Sequence, residues 1–297
     1  MIRQKAAKYF YKTIERIPKG FKLRLARTPL LGIYRRVSTF IGQGVPEGYK
    51  VIQSGVLEGK FLYIGPASSR GYSSVMEYLA GNYEPGLAEA MQKYGRPGTT
   101  VLDIGAHFGY FSLILSQCVG AEGRCIAFEA LSENAEKISK TVYANTVENI
   151  QVENLAISDE DGNVSFEISS NSFMGKLKAS AADSQFEFKD RLVSVKAMTL
   201  DSYVNCSGLD NISLIKIDVE GAERKVVRGG NKTILNHKPV LLVEVHSFEN
   251  AGVHAQPFIF DLINLGYRIY HLANNAEILP MGFSGGHIIA LPVIRGE

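Results

Sequence analysis

From residue 99 onward the chain alternates short, almost wholly apolar runs with amphipathic stretches. The runs 99–104, 124–129, 212–218 and 240–245, with the more mixed 150–157, are too short for buried helices, and the first four lack the in-out alternation of a half-wet strand. They predict strands covered on both faces. The stretches between them, 110–118, 134–145, 223–235 and, after the last strand, 258–265, carry the helical period. Strands of this kind separated by helices fold as a parallel sheet. A hairpin-like excursion at 164–169 and 186–198 interrupts the series, and 267–272 with 287–291 predicts a closing antiparallel pair. The expected class is α/β, with one parallel-sheet domain over residues 71–297.

Residues 1–70 read differently, as a basic helical extension followed by short strands. The first 40 residues hold eleven Lys and Arg against one acid, Glu15, so the remainder is net acidic although the chain carries +2. Ile2, Ala6, Tyr9, Phe10, Thr13 and Ile17 share a helical face beside a stripe of Lys5, Lys8, Lys12 and Arg16. Two readings stay open for this helix: packing on the body or on another subunit of a homo-oligomer, and peripheral attachment of residues 1–20 to anionic lipid. Because the basic charge is confined there, the protein does not read as a nucleic-acid binder. Cys118, Cys125 and Cys206 are odd in number and form no C-x-x-C pair, which opposes a disulfide framework and suits a reducing compartment. No apolar run reaches the ~18–20 residues of a membrane span, and no apolar core follows the basic start as in a secretory signal. The expected location is cytoplasmic, peripheral at a membrane if the first helix attaches. A basic, acid-poor start also leaves a transit peptide open, although Ser is scarce.

The strongest local motif is VLDIGAHFGY at 101–110, an apolar strand running through a glycine turn straight into a helix. Gly105 permits the tight turn and Gly109 lets helix and strand pack closely. Asp103, near the strand end, can accept a hydrogen bond or meet a cation. His107 stands where the dinucleotide fingerprint has its middle glycine, which lets a pyrophosphate approach the backbone. The turn therefore suits a ligand without phosphates. Glu129 ends the next strand 20 residues past Gly109, where nucleoside-binding βαβ units carry a ribose-binding acid. Each motif alone fits ordinary structure; together they predict a nucleoside without a pyrophosphate, and S-adenosylmethionine is the candidate.

LIKIDVEGAE at 214–223 and LLVEVH at 241–246 carry the polar groups. If these are adjacent strands, period two puts Asp218 with Glu220, and Glu244 with His246, on common faces. Ligands of open parallel sheets bind at that end. The cluster could act as a general base or as hard metal ligands. Glu220 and Glu223 equally fit charging of the following helix N-terminus. His237, His254, His271 and His287 have no metal spacing and read as ordinary histidines.

These segments, with GNYE at 81–84, TLDSY at 199–203 and VVRG at 226–229, resemble the FkbM-type S-adenosylmethionine-dependent methyltransferases. The resemblance covers roughly residues 75–250, and DVEGAE at 218–223 is its most specific part. It implies a class I methyltransferase fold, a Rossmann-like sheet whose last strand is antiparallel, acting on hydroxyls of sugars, lipids or natural products. By position it assigns Asp103, Gly105, Ala106, His107 and Gly109 to the methionine and sulfonium end of the pocket. Glu129 falls to the ribose, Ala156 and Ile157 to the adenine, and Glu84 to the methionine moiety. S-adenosylhomocysteine is the implied product. His107 departs from the general methyltransferase glycine pattern, but the family accepts Asn or His there.

A sulfonium is already a good leaving group, so alignment supplies much of the effect; an acceptor hydroxyl must still lose its proton. Asp218, Glu244 and His246 are expected to converge beside the methyl, with His246 as base because an unperturbed imidazole titrates near neutrality. The preferred version is free of metal, with divalent-metal assistance as the alternative. The acceptor is expected to be a small molecule or glycan, in a pocket shaped by residues 171–190. Position 218–221 reads DVEG where base-methylating enzymes carry D-P-P-Y, and no Pro-Cys pair exists. Two rivals remain: a non-catalytic nucleoside-binding module attached to a membrane or polyanion by its basic start, and a nicotinamide oxidoreductase, which the missing middle glycine opposes.

Overall fold

Two strands, β1 (Gly48–Val51) and β2 (Phe61–Ile64), pair antiparallel ahead of two helices, α1 (Tyr72–Ala80) and α2 (Pro85–Tyr94). The helices part at Gly81, where φ is +68. The predicted alternation follows: β3 (Thr100–Ile104), α3 (Tyr110–Val119), β4 (Arg124–Phe128), α4 (Ser132–Ala144) and β5 (Ile150–Glu153). The excursion comprises β6 (Ala156–Ser158), β7 (Gly162–Ile168), β8 (Gly175–Leu177) and β9 (Arg191–Thr199). The chain then forms α5 (Leu200–Ser207), β10 (Ile212–Ile217), α6 (Glu223–Gly229), α7 (Asn231–His237), β11 (Val240–Val245), α8 (Gly252–Asn264), β12 (Tyr267–His271) and β13 (Gly286–Pro292). A computed structural model describes residues 47–65, 72–168, 175–177, 191–246 and 252–293. The basic helix with its lipid or subunit contact, and most of the pocket segment 171–190, lie outside the described residues.

Seven strands make the central sheet in the order β12-β13-β11-β10-β3-β4-β5. β13 runs antiparallel to both neighbours and the remaining pairs are parallel, so the α/β class and the closing antiparallel strand hold. The chain moves outward from β3 through β4 to β5, then returns to lay β10 and β11 on the other side. The carboxyl ends of β3 and β10 are therefore the switch point where such sheets open a crevice. Alternate residues of each strand feed two cores. Leu102, Ile104, Ile215 and Ile217 pack with α5, α6 and α8; Val101 and Leu214 pack with α1, α2 and α3. Phe128 is 1% exposed, and burying a side chain of that size contributes about 1.5–3 kcal/mol.

Three expectations need correction. The third strand does not run to residue 157: it ends at Glu153, where the Asn154 side-chain amide donates to the Glu129 and Ala130 carbonyls. Ala156 and Ile157 instead pair with β9 in a separate sheet ordered β6-β9-β7-β8. Both are buried. The helix expected over 223–235 is two, breaking at the Gly229-Gly230 pair. The new N-terminus is capped from α5, because Asp201 accepts the N–H groups of Lys232 and Thr233 at 3.0 and 2.7 Å. Finally, β10 stops at Ile217, so Asp218 and Glu220 lie in a turn and not on one strand face. No helix among the described residues is long and apolar enough to cross a membrane. The three cysteines are free thiols.

Candidate active site

The glycine turn after β3 is held by backbone. Gly105 and Ala106 both donate to the Phe128 carbonyl at 3.0 Å, which pins the turn onto β4. Gly105 has φ +83, and a Cβ there would collide with the Asp218 carbonyl oxygen. The turn after β3 and the turn after β10 thus touch main chain to main chain, and Asp218 N–H donates to Ile104 O at 3.0 Å. Gly109, also left-handed, abuts Ile138 and opens α3.

Glu129 ties this turn to the next. Its two carboxylate oxygens accept the N–H groups of His107 at 2.9 Å and Leu131 at 3.0 Å. Burial raises its pKa, opposed by those two bonds. Asn134 also bonds this carboxylate, which still keeps acceptor capacity for a hydroxyl. His107 has φ 53. Its Nδ1 lies 3.5 Å from the Tyr78 hydroxyl, and its Nε2 is buried with no hydrogen-bond partner among the described residues. Burial, with the charges of Lys137 and Lys216, lowers its pKa to about 3, so the ring is neutral.

Asp103 lies beneath the turn, wholly buried, and accepts from the Ser112 hydroxyl. Its register partner on β10 is Lys216. The Lys216 ammonium reaches Asp103 Oδ1 at 3.1 Å, Gly105 O at 2.8 Å and Asp218 Oδ2 at 3.5 Å. Burial works to neutralise this lysine, but the Asp103 and Asp218 charges hold its pKa above the usual lysine value.

On the far side of β10 the polar side chains converge as expected, with additions. From His246 Nε2, Glu220 stands at 3.4 Å, Glu244 at 3.7 Å and Asp218 at 4.0 Å. Its Nδ1 meets Glu223 Oε1 at 2.8 Å. Burial would lower the His246 pKa, but the Glu223 bond and the charges of Glu220, Glu223 and Glu244 raise it to about 9. The sequence reading took an unperturbed imidazole; the carboxylates around His246 favour its protonated form instead. Glu220 reaches the cluster because it adopts the left-handed region, φ 53. Burial raises its pKa to about 7, and burial also raises that of Asp218.

His287, taken from sequence as an ordinary histidine, belongs here. β11 and β13 place it opposite Glu244, and its Nε2 lies 3.1 Å from Glu84 Oε2 and 3.4 Å from Glu244 Oε2. Those two bonds raise its pKa to about 10. The signal was the closing antiparallel pair itself, had its register been set against LLVEVH. Glu223 does both things open to it: it accepts the Gly221 N–H at the start of α6 and holds His246. Lys216 was passed over as one charge inside an apolar run.

The family description "Methyltransferase FkbM domain" matches residues 103–269, more than half of the chain. The curated 2-O-methyltransferase NoeI of Sinorhizobium fredii is 26% identical over 149 residues, 47% of this chain and 60% of that protein. Among solved structures, the methyltransferase FkbM of Methylobacillus flagellatus matches at 16% identity and a TM-score of 0.41, over 77% of this chain and 55% of that one. A SAM-dependent O-methyltransferase of Thermotoga maritima matches at 13% and 0.42, over 72% and 67%. The chain thus spans little more than half the length of the first two of these relatives.

Proposed function

The chain belongs to the FkbM methyltransferase family, and from that premise we propose that it methylates a hydroxyl of a sugar, lipid-linked glycan or natural product, using S-adenosylmethionine. The observation that carries this reading is the contact between two turns. The glycine turn, built to hold a nucleoside without a pyrophosphate, touches the residue that opens the carboxylate–imidazole cluster, Asp218. The name of the Sinorhizobium relative, a 2-O-methyltransferase, supports an oxygen acceptor.

In this reading Gly105, Ala106, His107 and Gly109 line the methionine end, Glu129 binds the ribose hydroxyls, and Glu84 reaches the methionine moiety from the start of α2. Asp218, Glu244 and His246 receive the acceptor. The acceptor oxygen forms the new O–CH3 bond as the S–CH3 bond breaks, and the sulfonium leaves as neutral S-adenosylhomocysteine. The hydroxyl proton passes to a carboxylate of the cluster, because His246 already carries a proton. Alignment across the two turns supplies the proximity term.

The test is incubation with methyl-labelled S-adenosylmethionine and a panel of glycans or cell extract, followed by mass spectrometry of the products. An O-methylated product is expected. Calorimetry that detects NAD binding and no affinity for S-adenosylhomocysteine would overturn the reading.

A further inference from the structure

We propose that Asp218, Glu244 and His246 form a site for one divalent cation of the first transition row, of the manganese-to-zinc class, which holds the acceptor hydroxyl beside the methyl donor. The ion's task rests on the methyltransferase reading; its place rests on geometry.

One ligand atom from each of the three residues lies within 4.8 Å of the other two. From His246 Nε2 the distances are 3.7 Å to Glu244 Oε1 and 4.0 Å to Asp218 Oδ1. A direct charge-assisted hydrogen bond would draw such atoms to about 2.7–2.9 Å. Donors that share one ion at about 2.1 Å stand roughly 3.0–4.2 Å apart. Both separations match the shared ion, with Glu220 Oε2, 3.4 Å from the same nitrogen, as a further carboxylate at the site; binding the ion displaces the Nε2 proton. The same ring supplies the contrast, because its other nitrogen makes the short bond, 2.8 Å to Glu223 Oε1. Glu223 is 4% exposed and is itself fixed by the Gly221 N–H. A ligating imidazole characteristically gives its second N–H to a carboxylate that sets ring orientation and tautomer. Glu223 does that here and leaves Nε2 facing Glu220, Glu244 and Asp218.

The second grouping, Glu84, Glu244 and His287, is the weaker candidate. His287 Nε2 stands 3.1 Å from Glu84, an ion-pair distance, and its role is to hold the outer oxygen of Glu244. Glu244 then offers its inner oxygen in a fixed direction. The ligands come from the ends of β10 and β11, adjacent strands whose register the sheet fixes. One imidazole with two carboxylates favours manganese, iron or zinc over magnesium and calcium, which take all-oxygen sets. Three protein ligands leave positions open for a substrate oxygen, and a hydroxyl on such an ion is a stronger acid.

The test uses the full chain, stripped with EDTA and returned to chelator-free buffer, titrated with manganese(II) alone while electron paramagnetic resonance reads the free ion. One ion per chain is expected, displaced by zinc. Glu244→Gln and His246→Ala should weaken binding at least tenfold, and Glu223→Gln by about 10–100-fold. S-adenosylhomocysteine calorimetry runs beside each titration and reports that every variant is folded. Cofactor binding without manganese or zinc uptake overturns the ion and leaves the methyltransferase reading intact. Uptake that is equal in wild type and variants overturns it as adventitious binding. Absence of cofactor binding in the wild type overturns the methyltransferase reading instead.

Discussion

His107 and His246 follow two strands that both border β10, and the protein holds them in opposite states. His107 sits beside backbone and aromatic rings, and loss of water lowers its pKa to about 3. His246 is also largely enclosed, yet the carboxylates around it raise its pKa to about 9. Burial pushes both the same way, so the partners decide. The glycine turn is main chain and neutral, suited to a ligand whose shape is constant. The cluster after β10 and β11 is side chain and charged, suited to moving a proton and polarising an oxygen.

The sharpest way to break this division is to cut the link between its halves. Lys216→Met leaves Asp103 buried without the cation that faces it, which should cost about 3–5 kcal/mol. Urea denaturation checks this, and a loss no larger than the about 1 kcal/mol of a surface pair would mean the halves are held otherwise. Next comes His246→Ala, which removes the group at the centre of the cluster and is expected to lower turnover by about 10–100-fold at saturating cofactor while S-adenosylhomocysteine affinity stays unchanged. If affinity falls with turnover, the two regions are not separate in function. Glu129→Gln probes the other half. An amide can accept from one of the two backbone N–H groups but faces the other with its own donor. Cofactor affinity should drop by one charge-assisted bond, about 1.5–3 kcal/mol, with manganese uptake unaltered.

The smallest effect concerns pH. The folded His107 pKa lies below the ~6.5 of an unfolded histidine. Its contribution to stability is therefore complete above pH ~6.5 and is lost as pH falls toward the folded value of about 3. Between pH 7 and 5.5 the ligand-free wild type should lose about 1 kcal/mol more than His107→Asn. Parallel denaturation curves at the two pH values measure it. Equal losses would show that His107 is not held neutral.

The contrast also explains what could be read in advance. The sheet was legible because strands buried on both faces leave unbroken apolar runs, and the turn at 105–109 because main-chain geometry demands glycine at named spacings. Glu129 was legible for the same reason, since a βαβ unit fixes its distance from the turn. The cluster was legible where its members follow or end the two strands: Asp218, Glu220, Glu244 and His246. His287 comes from a strand inserted between β12 and β11, and its partner Glu84 lies 203 residues away, a separation that carries no local signal. The charge state of His246 was misread because a pKa belongs to the neighbours in space. Ala156 and Ile157 were read into the third strand because nothing local in 150–157 announces the side-chain bonds of Asn154 that end β5.

The missing space for a methyl group at Gly105 reaches beyond this molecule. A turn in main-chain contact with Asp218, with Lys216 bonded to both, makes residues 103–105 and 216–218 one inheritable unit. A chimera whose crossover falls between β3 and β10 would have to carry both segments from the same parent. Libraries meant to change acceptor choice should leave those positions alone and vary the loops.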